Sequence, residues 1–234
     1  MKQSVEAKTA QLYNENDSDN VNSVRLPYRH DLNLMRKIWH MGMGLFIVNL
    51  YLLGVPQGTA LLILAGFLGA DLMVENARLR SPNLNQRMMR LWGSIMRSHE
   101  VNQMSTIPHY IVSVILAIGL FPKPVAVLSI LYLACGDPIA SLFGILYGHK
   151  GPKFKNGKTL IGTCAGILVC VLISYVYLQA ISVSNSTDVI LAVSLLGGLA
   201  GGLAELIPFE IDDNFTIPVV SGFLLWLVFI GFGI

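Results

Sequence analysis

Seven apolar runs punctuate the chain, at about 39–54, 58–73, 105–121, 124–147, 159–181, 189–206 and 215–233. A hydrocarbon core of ~30 Å takes about 20 residues of helix, so each run crosses a bilayer or nearly does. The first three are short by that measure, which tilt or snorkelling flanks accommodate. The pattern predicts an all-α integral membrane protein with about seven transmembrane helices. Residues 1–34 are polar, with NENDSDNVNS at their centre and no apolar stretch before the first run. They are expected to form a disordered cytoplasmic tail without a cleaved signal peptide, followed by a polytopic membrane domain over 35–234.

Composition agrees with this reading. The mean hydropathy is +0.60, with 53% hydrophobic and 13% charged residues, too apolar for an ordinary soluble domain. Charge placement adds orientation. Lys2, Lys8, Arg25, Arg29, Arg36 and Lys37 precede the first run, while Arg78, Arg80, Arg87, Arg90 and Arg97 lie between the second and third. Lys150, Lys153, Lys155 and Lys158 lie between the fourth and fifth, which leaves only Lys123 for the opposite side. The positive-inside rule makes the first three groups cytoplasmic, and alternation puts the 205–214 loop there too. With every ionisable cluster on one face, the pattern favours an enzyme acting on lipid headgroups over a transporter, which needs polar groups through the bilayer.

Several short stretches carry candidate chemistry. RKIWHMGMG places Arg36 and His40 four apart on one helical face. Asp71, Glu75 and Arg78 share a stripe at the end of the second run, where the plainer reading is a Glu75–Arg78 surface pair. Leu84, Met88, Leu91 and Ile95 then mark the apolar side of a basic amphipathic helix on the membrane, its other side bearing Arg87, Arg90, Ser94 and Arg97. Arg97 and Glu100 form a second candidate pair. Asp137 lies well inside an apolar run, where a carboxylate is costly unless paired or hydrated. Asp137, Ser141, Gly144 and Gly148 form a small, polar stripe expected to face the bundle interior, and Pro138 is expected to break the helix. HKGPKFKNGKT is not a P-loop, because five residues rather than four separate Gly151 from GKT and a membrane helix precedes it. Gly157, Lys158 and Thr159 nevertheless open a helix whose N-terminal N–H groups and positive charge suit phosphate.

Gly197, Gly198, Gly201 and Gly202 make two overlapping G-x-x-x-G faces, read as close helix packing. Cys135, Cys164 and Cys170 sit in apolar runs without C-x-x-C spacing and read as packing residues. ELIPFEIDDNFTIP, residues 205–218, is the densest acidic stretch. Glu205 ends one run, Pro208 and Pro218 are expected to fix the loop's two ends, and Asp212, Asp213 and Asn214 offer adjacent oxygens. Mg2+ takes one or two carboxylates plus substrate phosphates, so this loop is the candidate metal–nucleotide centre.

RKIWHMGMG, DLMVENARLRSP with IMRSHE, GDPIASLFGILYG, GKTLIGT, and LLGGLAGGLAE with IDDNFTIPVVSG together resemble the polyprenol kinase family over about residues 34–225. That family holds dolichol kinase, phytol kinase and the CTP-dependent diacylglycerol kinase of yeasts, the last of which the DDNFTIP block resembles most. The resemblance implies phosphorylation of a membrane lipid alcohol by CTP with Mg2+ or another divalent cation. It matches Arg36, Lys37 and His40 to an RK–H motif, Asp71 and Glu100 to acidic positions, and Asp137 to a GD motif. Lys158 and Gly162 fall on a K-S-L-x-G motif, and Asp212, Asp213 and Asn214 on the terminal acidic motif. Pro138 departs from the small residue common there.

The implied reaction is conversion of diacylglycerol to phosphatidate, with a dolichol, phytol or other isoprenoid alcohol as the alternative acceptor. An ion-coupled transporter using Asp137 is the non-enzyme rival. Lys150, Lys153, Lys155, Lys158 and Arg97, with Arg36, Lys37, Thr159 and Asn214, are expected to hold nucleotide, and Asp212, Asp213 and Asp71 the metal. Asp137 or His40 is expected to take the hydroxyl proton, with Glu100 a further catalytic candidate. The expected partners are the membrane lipid and CTP, with no nucleic acid. The expected location is the endoplasmic reticulum or nuclear envelope in a eukaryote, or the cytoplasmic membrane in a bacterium.

Overall fold

Apolar runs interrupted by proline, glycine and charge become helices here, because each helix satisfies its own backbone hydrogen bonds where water is absent. The computed structural model describes residues 33–183, 186–207 and 212–234. All but the last two residues of the expected tail lie outside the described residues, as do Pro208 and Glu210 of the acidic loop. The helices are α1 (Leu34–Leu52), α2 (Gln57–Arg80), α3 (Pro82–Trp92), α4 (Ile107–Leu120), α5 (Lys123–Leu131), α6 (Asp137–Tyr147), α7 (Leu160–Ala180), α8 (Thr187–Leu206) and α9 (Asp213–Phe232). No strand forms among the described residues beyond an isolated Lys153–Thr159 bridge.

Five helical spans are long and apolar enough to cross a membrane: α2, α7, α8, α9 and the 28-residue run Lys123–Lys150 that contains α5 and α6. The other two predicted crossings also fall on helices. However, α4 has only 14 residues, about 21 Å against a ~30 Å core, and α1 opens on Arg36 and Lys37.

The α5–α6 run is the hub. Val125, Ala126, Val127, Leu128 and Ile130 are fully buried, and the run touches α1, α4, α7 and α9. Pro138 does not break it. A π-helical turn, Tyr132–Gly136, precedes the proline and places it in the first turn of α6, where no N–H is required. Pro218 likewise does not end the acidic loop. It lies inside α9, which starts at Asp213 because the Asp212 side chain caps it by accepting from Asn214 N at 2.8 Å.

Both glycine faces of α8 are used for close approach. A Cβ on Gly197 would lie 2.6 Å from the Tyr132 hydroxyl, and one on Gly201 3.1 Å from its ring. The other face meets α7: a Cβ on Gly198 would lie 2.2 Å from Val171 Cγ2, and one on Gly202 2.2 Å from Ile167 Cγ1. Tyr132 completes its hydrogen bonding with Ser174 Oγ at 2.6 Å. The cysteines are free, with Cys170 buried beside Gly136 and Gly201 and Cys164 exposed.

Gly198→Ala is expected to destabilise the bundle by about 1–3 kcal/mol through overpacking, since Val171 N, a backbone atom, would also lie at 2.8 Å. Gly66→Ala has nothing within 4 Å and should be neutral or stabilising through helix propensity. Thermal unfolding of both variants in detergent checks the contrast.

Candidate active site

Polar side chains gather at one end of the bundle. At the other end, Lys123 Nζ lies over the Tyr51 ring, 4.9 Å from its centroid, and Gln57 Nε2 donates to the Ile118 carbonyl at 2.7 Å. The site is built where the end of α8, the start of α9 and a short hairpin before α7 meet.

The hairpin turns on Gly157, whose φ of +82° is left-handed and suits a residue without Cβ. Phe154 N donates to the Lys158 carbonyl at 2.7 Å and Leu160 N to the Pro152 carbonyl at 3.0 Å. Asn156 docks this hairpin on α8: its Nδ2 donates to the Leu206 carbonyl at 3.1 Å, while its Oδ1 accepts from Lys158 N at 3.1 Å. That fixes Lys158. Its Nζ lies 3.1 Å from Asp213 Oδ1 and 3.8 Å from Glu205 Oε1, and it donates to the Glu205 carbonyl. One ammonium therefore bridges the C-terminal end of α8 and the N-terminal end of α9, the sign each helix dipole and carboxylate arrangement calls for at the former.

Thr159 caps α7 by accepting from Gly162 N at 3.1 Å, so this N-terminus already has a side-chain partner for one of its free N–H groups. The small stripe of α6 faces it. A Cβ on Gly148 or Gly144 would meet Thr159, at 2.4 and 3.0 Å. Asn214 is buried in the first turn of α9. Lys153 and Lys155 are exposed, and Lys150 lies 5.5 Å from the Tyr147 ring centroid.

Asp137 and Glu205 line one cavity of about 10 Å³ with Gly136, Gly166, Gly201 and Gly202, the room of roughly one water-sized sphere. The charges acting on Asp137 are Asp213, Lys158, Arg97 and Asp212, so the GD motif and the acidic loop share one electrostatic site. Lys37 belongs to it as well, interacting with Asp137. Neither Lys37 nor Arg97 has an ion-pair partner among the described residues, which leaves two cations for an anionic ligand. Glu205 was named in the sequence only as the end of a run. Its signal was available: a carboxylate closing an apolar helix directly after two glycine faces.

The remaining candidates are placed differently. Glu100 pairs with the Arg36 side chain rather than that of Arg97. Arg36 Nη1 lies 3.2 Å from Glu100 Oε1, and its guanidinium also reaches the Ile95 carbonyl and Thr106 Oγ1, at 3.2 and 2.7 Å. Arg97 gives Glu100 only its backbone N–H, at 2.9 Å. Glu100 is buried and its oxygens are engaged, which suits it to holding the 95–106 segment. His40 packs edge-to-face on Tyr110 at 4.8 Å, and its Nε2 is buried without a partner.

Glu75 and Arg78 are not a surface pair. They are buried, bonded at 2.8 and 2.7 Å in a bidentate pair. Arg78 also donates to Asn85 Oδ1 and to the Val101 and Gln103 carbonyls, and Glu75 accepts from Ser105 N. Asp71 interacts with these two charges and not with Asp212 or Asp213. Among the described residues no three His, Cys, Asp or Glu form a metal-ligating group. Asp212 and Asp213 offer the one or two carboxylates that Mg2+ takes when phosphates supply further oxygens, and Asp71 does not join them. The amphipathic stretch is also shorter than its sequence pattern, because α3 stops at Trp92 before Gly93 and leaves Ser94, Ile95 and Arg97 outside the helix.

No protein-family model matches the chain, and no solved structure matches it. Among curated proteins it is similar to the CTP-dependent diacylglycerol kinase 1 of Eremothecium gossypii, 32% identical over 207 residues, or 81% of this chain and 65% of the relative. The chain therefore spans just under two thirds of that relative's length. It is 30% identical to the protein of the same name from Schizosaccharomyces pombe over 203 residues, covering 82% of this chain and 92% of the relative. A chloroplastic farnesol kinase of Arabidopsis thaliana is 30% identical over 129 residues, covering 50% of this chain and 42% of the relative.

Removing one member of the Glu75–Arg78 pair leaves a buried carboxylate without its cation. Arg78→Met is expected to cost about 3–5 kcal/mol and to free the backbone of residues 101–105. Denaturation in mixed micelles reads the first effect. Faster hydrogen exchange at Ser105, whose N–H bonds to Glu75, reads the second.

Proposed function

Because the chain belongs to the polyprenol kinase family, we propose that it is a CTP-dependent lipid kinase converting diacylglycerol to phosphatidate. The observation that carries this reading is the Asp137–Lys158–Asp213 cluster, with Arg97 and Lys37 unpaired beside it, at one end of a membrane bundle. A lipid hydroxyl stays in the bilayer while a nucleotide approaches from water, so their meeting point must lie at such an end.

Phosphoryl transfer is chiefly positioning and charge neutralisation. Arg97, Lys37 and Lys158 would hold the phosphates, with the exposed Lys150, Lys153 and Lys155 drawing the nucleotide in. Asp137 would accept the hydroxyl proton as the lipid oxygen bonds to the γ-phosphorus and the bond to the β–γ bridging oxygen breaks, releasing CDP. Its neighbourhood with Lys158 and Asp213 favours it for this over His40, whose charged neighbours are Arg36 and Arg97. Asp213 and Asp212 would hold a divalent cation, which neutralises the transferring phosphates when bound. Lys158 lies against Asp213 in the free protein, ready to exchange a carboxylate for phosphate oxygen. An isoprenoid alcohol is the second acceptor reading, supported by the plant farnesol kinase.

The purified protein, given labelled CTP or ATP and a panel of diacylglycerol, dolichol, farnesol and phytol in micelles, should phosphorylate diacylglycerol with CTP fastest. Asp213→Asn should lower that turnover by roughly two orders of magnitude or more, the loss of a few kcal/mol of transition-state stabilisation. Near-wild-type turnover in that variant would remove Asp213 from the site.

Seven crossings with the active face cytoplasmic are proposed for the membrane arrangement, resting on the one-sided Lys/Arg count. Asn83→Cys and Lys155→Cys, in a background without the native cysteines, should react with an impermeant thiol reagent from the same side. Labelling from opposite sides would refute the shared surface.

A further inference from the structure

The short helix α3 takes no part in the proposed chemistry, yet it combines three features that point to one ligand. Leu84, Leu91 and Trp92 are exposed at 37, 75 and 44%, and Met89 is its only buried residue. At helical spacing Leu91, Leu84, Met88 and Trp92 occupy an arc of about 100°, with Arg87 and then Arg90 beside it, both exposed. Trp92 packs edge-on against Trp39 of α1, 5.7 Å between centroids, and Trp39 is itself 42% exposed. Tryptophan concentrates at the headgroup level. With 11 residues, α3 is too short to cross a bilayer, and it links a helix that can, α2, to α4.

An apolar arc edged by arginine and tryptophan matches an anionic leaflet, with acyl chains on one side and negative headgroups on the other. We propose that α3 is a docking surface for anionic phospholipid and that its engagement is transmitted to the candidate active site.

The transmission route is a run of hydrogen bonds. Asn85 of α3 accepts from Arg78 Nη1 at 3.1 Å and donates to the Val101 carbonyl at 2.9 Å. Arg78 Nη2 holds the Gln103 carbonyl at 2.7 Å. The segment so held carries Glu100, which fixes Arg36, and Arg97, which acts on Asp137. Lipid that seats α3 thus steadies the segment presenting Arg97 to the site. Loss of α3 contact loosens the same carbonyls.

The test uses the full chain in nanodiscs in which phosphatidylserine progressively replaces phosphatidylcholine at constant diacylglycerol. Turnover with CTP should rise several-fold with phosphatidylserine. The Arg87→Gln/Arg90→Gln double variant should keep the turnover seen in phosphatidylcholine alone and lose the rise, since each arginine contributes about fivefold to partitioning toward anionic lipid. A second readout needs no catalysis: in a Trp39→Phe/Trp226→Phe background, Trp92 fluorescence should be quenched more by brominated phosphatidylserine than by brominated phosphatidylcholine, and the double variant should abolish that preference. Equal quenching by the two lipids overturns the docking surface. A turnover rise that survives in the double variant overturns the coupling. If turnover is absent while preferential quenching persists, the docking surface stands and the assignment as a kinase falls.

Discussion

A single ammonium group ties the polar end of this bundle together. Lys158 sits where α8 ends and α9 begins, between Glu205 and Asp213, and it arrives there on a hairpin fixed by Asn156. Like-charged carboxylates at a part-buried site repel unless a cation lies between them. With the lysine in place, Asp137, Glu205, Asp212 and Asp213 are tolerated within one small region. The same region holds Arg97 and Lys37, which act on Asp137 without forming an ion pair with any described residue.

Two further hydrogen-bond systems keep that region in shape. The Arg36–Glu100 contact anchors the 95–106 segment to α1, and the Glu75–Arg78 pair anchors it to α2 and α3. Each of these charges has its partner and each guanidinium additionally binds backbone carbonyl oxygen, which is how a connection whose regular structure is a single 3-10 turn, Ser98–Val101, avoids unsatisfied groups. The segment between α3 and α4 is thereby held on two sides while Arg97 stays available.

Much of this was legible in the sequence, for reasons specific to membranes. Every predicted apolar run falls on a helix, because in a bilayer length and hydropathy nearly dictate helix formation. Lys37, Asp137 and Asp213, many tens of residues apart, act on one another electrostatically at the same end of the bundle. Local patterns were less reliable. Pro138 read as a helix break and Pro218 as the end of the acidic loop, but Pro138 sits in the first turn of α6 after a π-helical turn and Pro218 lies inside α9, which the Asp212 cap starts at Asp213. Asp71 shares a stripe with Glu75 and Arg78 but not a site with Asp213, a distinction only tertiary packing draws. Glu100 was paired with its nearest arginine in sequence, whereas Arg36, 64 residues away, supplies the guanidinium. Glu205 was passed over because a lone carboxylate at a helix end resembles an ordinary boundary residue.

The paired glycine faces of α8 restrict how that helix moves. One face seats Tyr132 from the hub and the other seats Val171 and Ile167 from α7, so rolling the helix about its long axis in either sense drives a side chain into backbone. Sliding by a single residue is blocked as well, since it would present leucine or alanine to the same seats. The carboxylate at the tip of α8 therefore keeps its heading, and α8 forms a fixed wall of the candidate site.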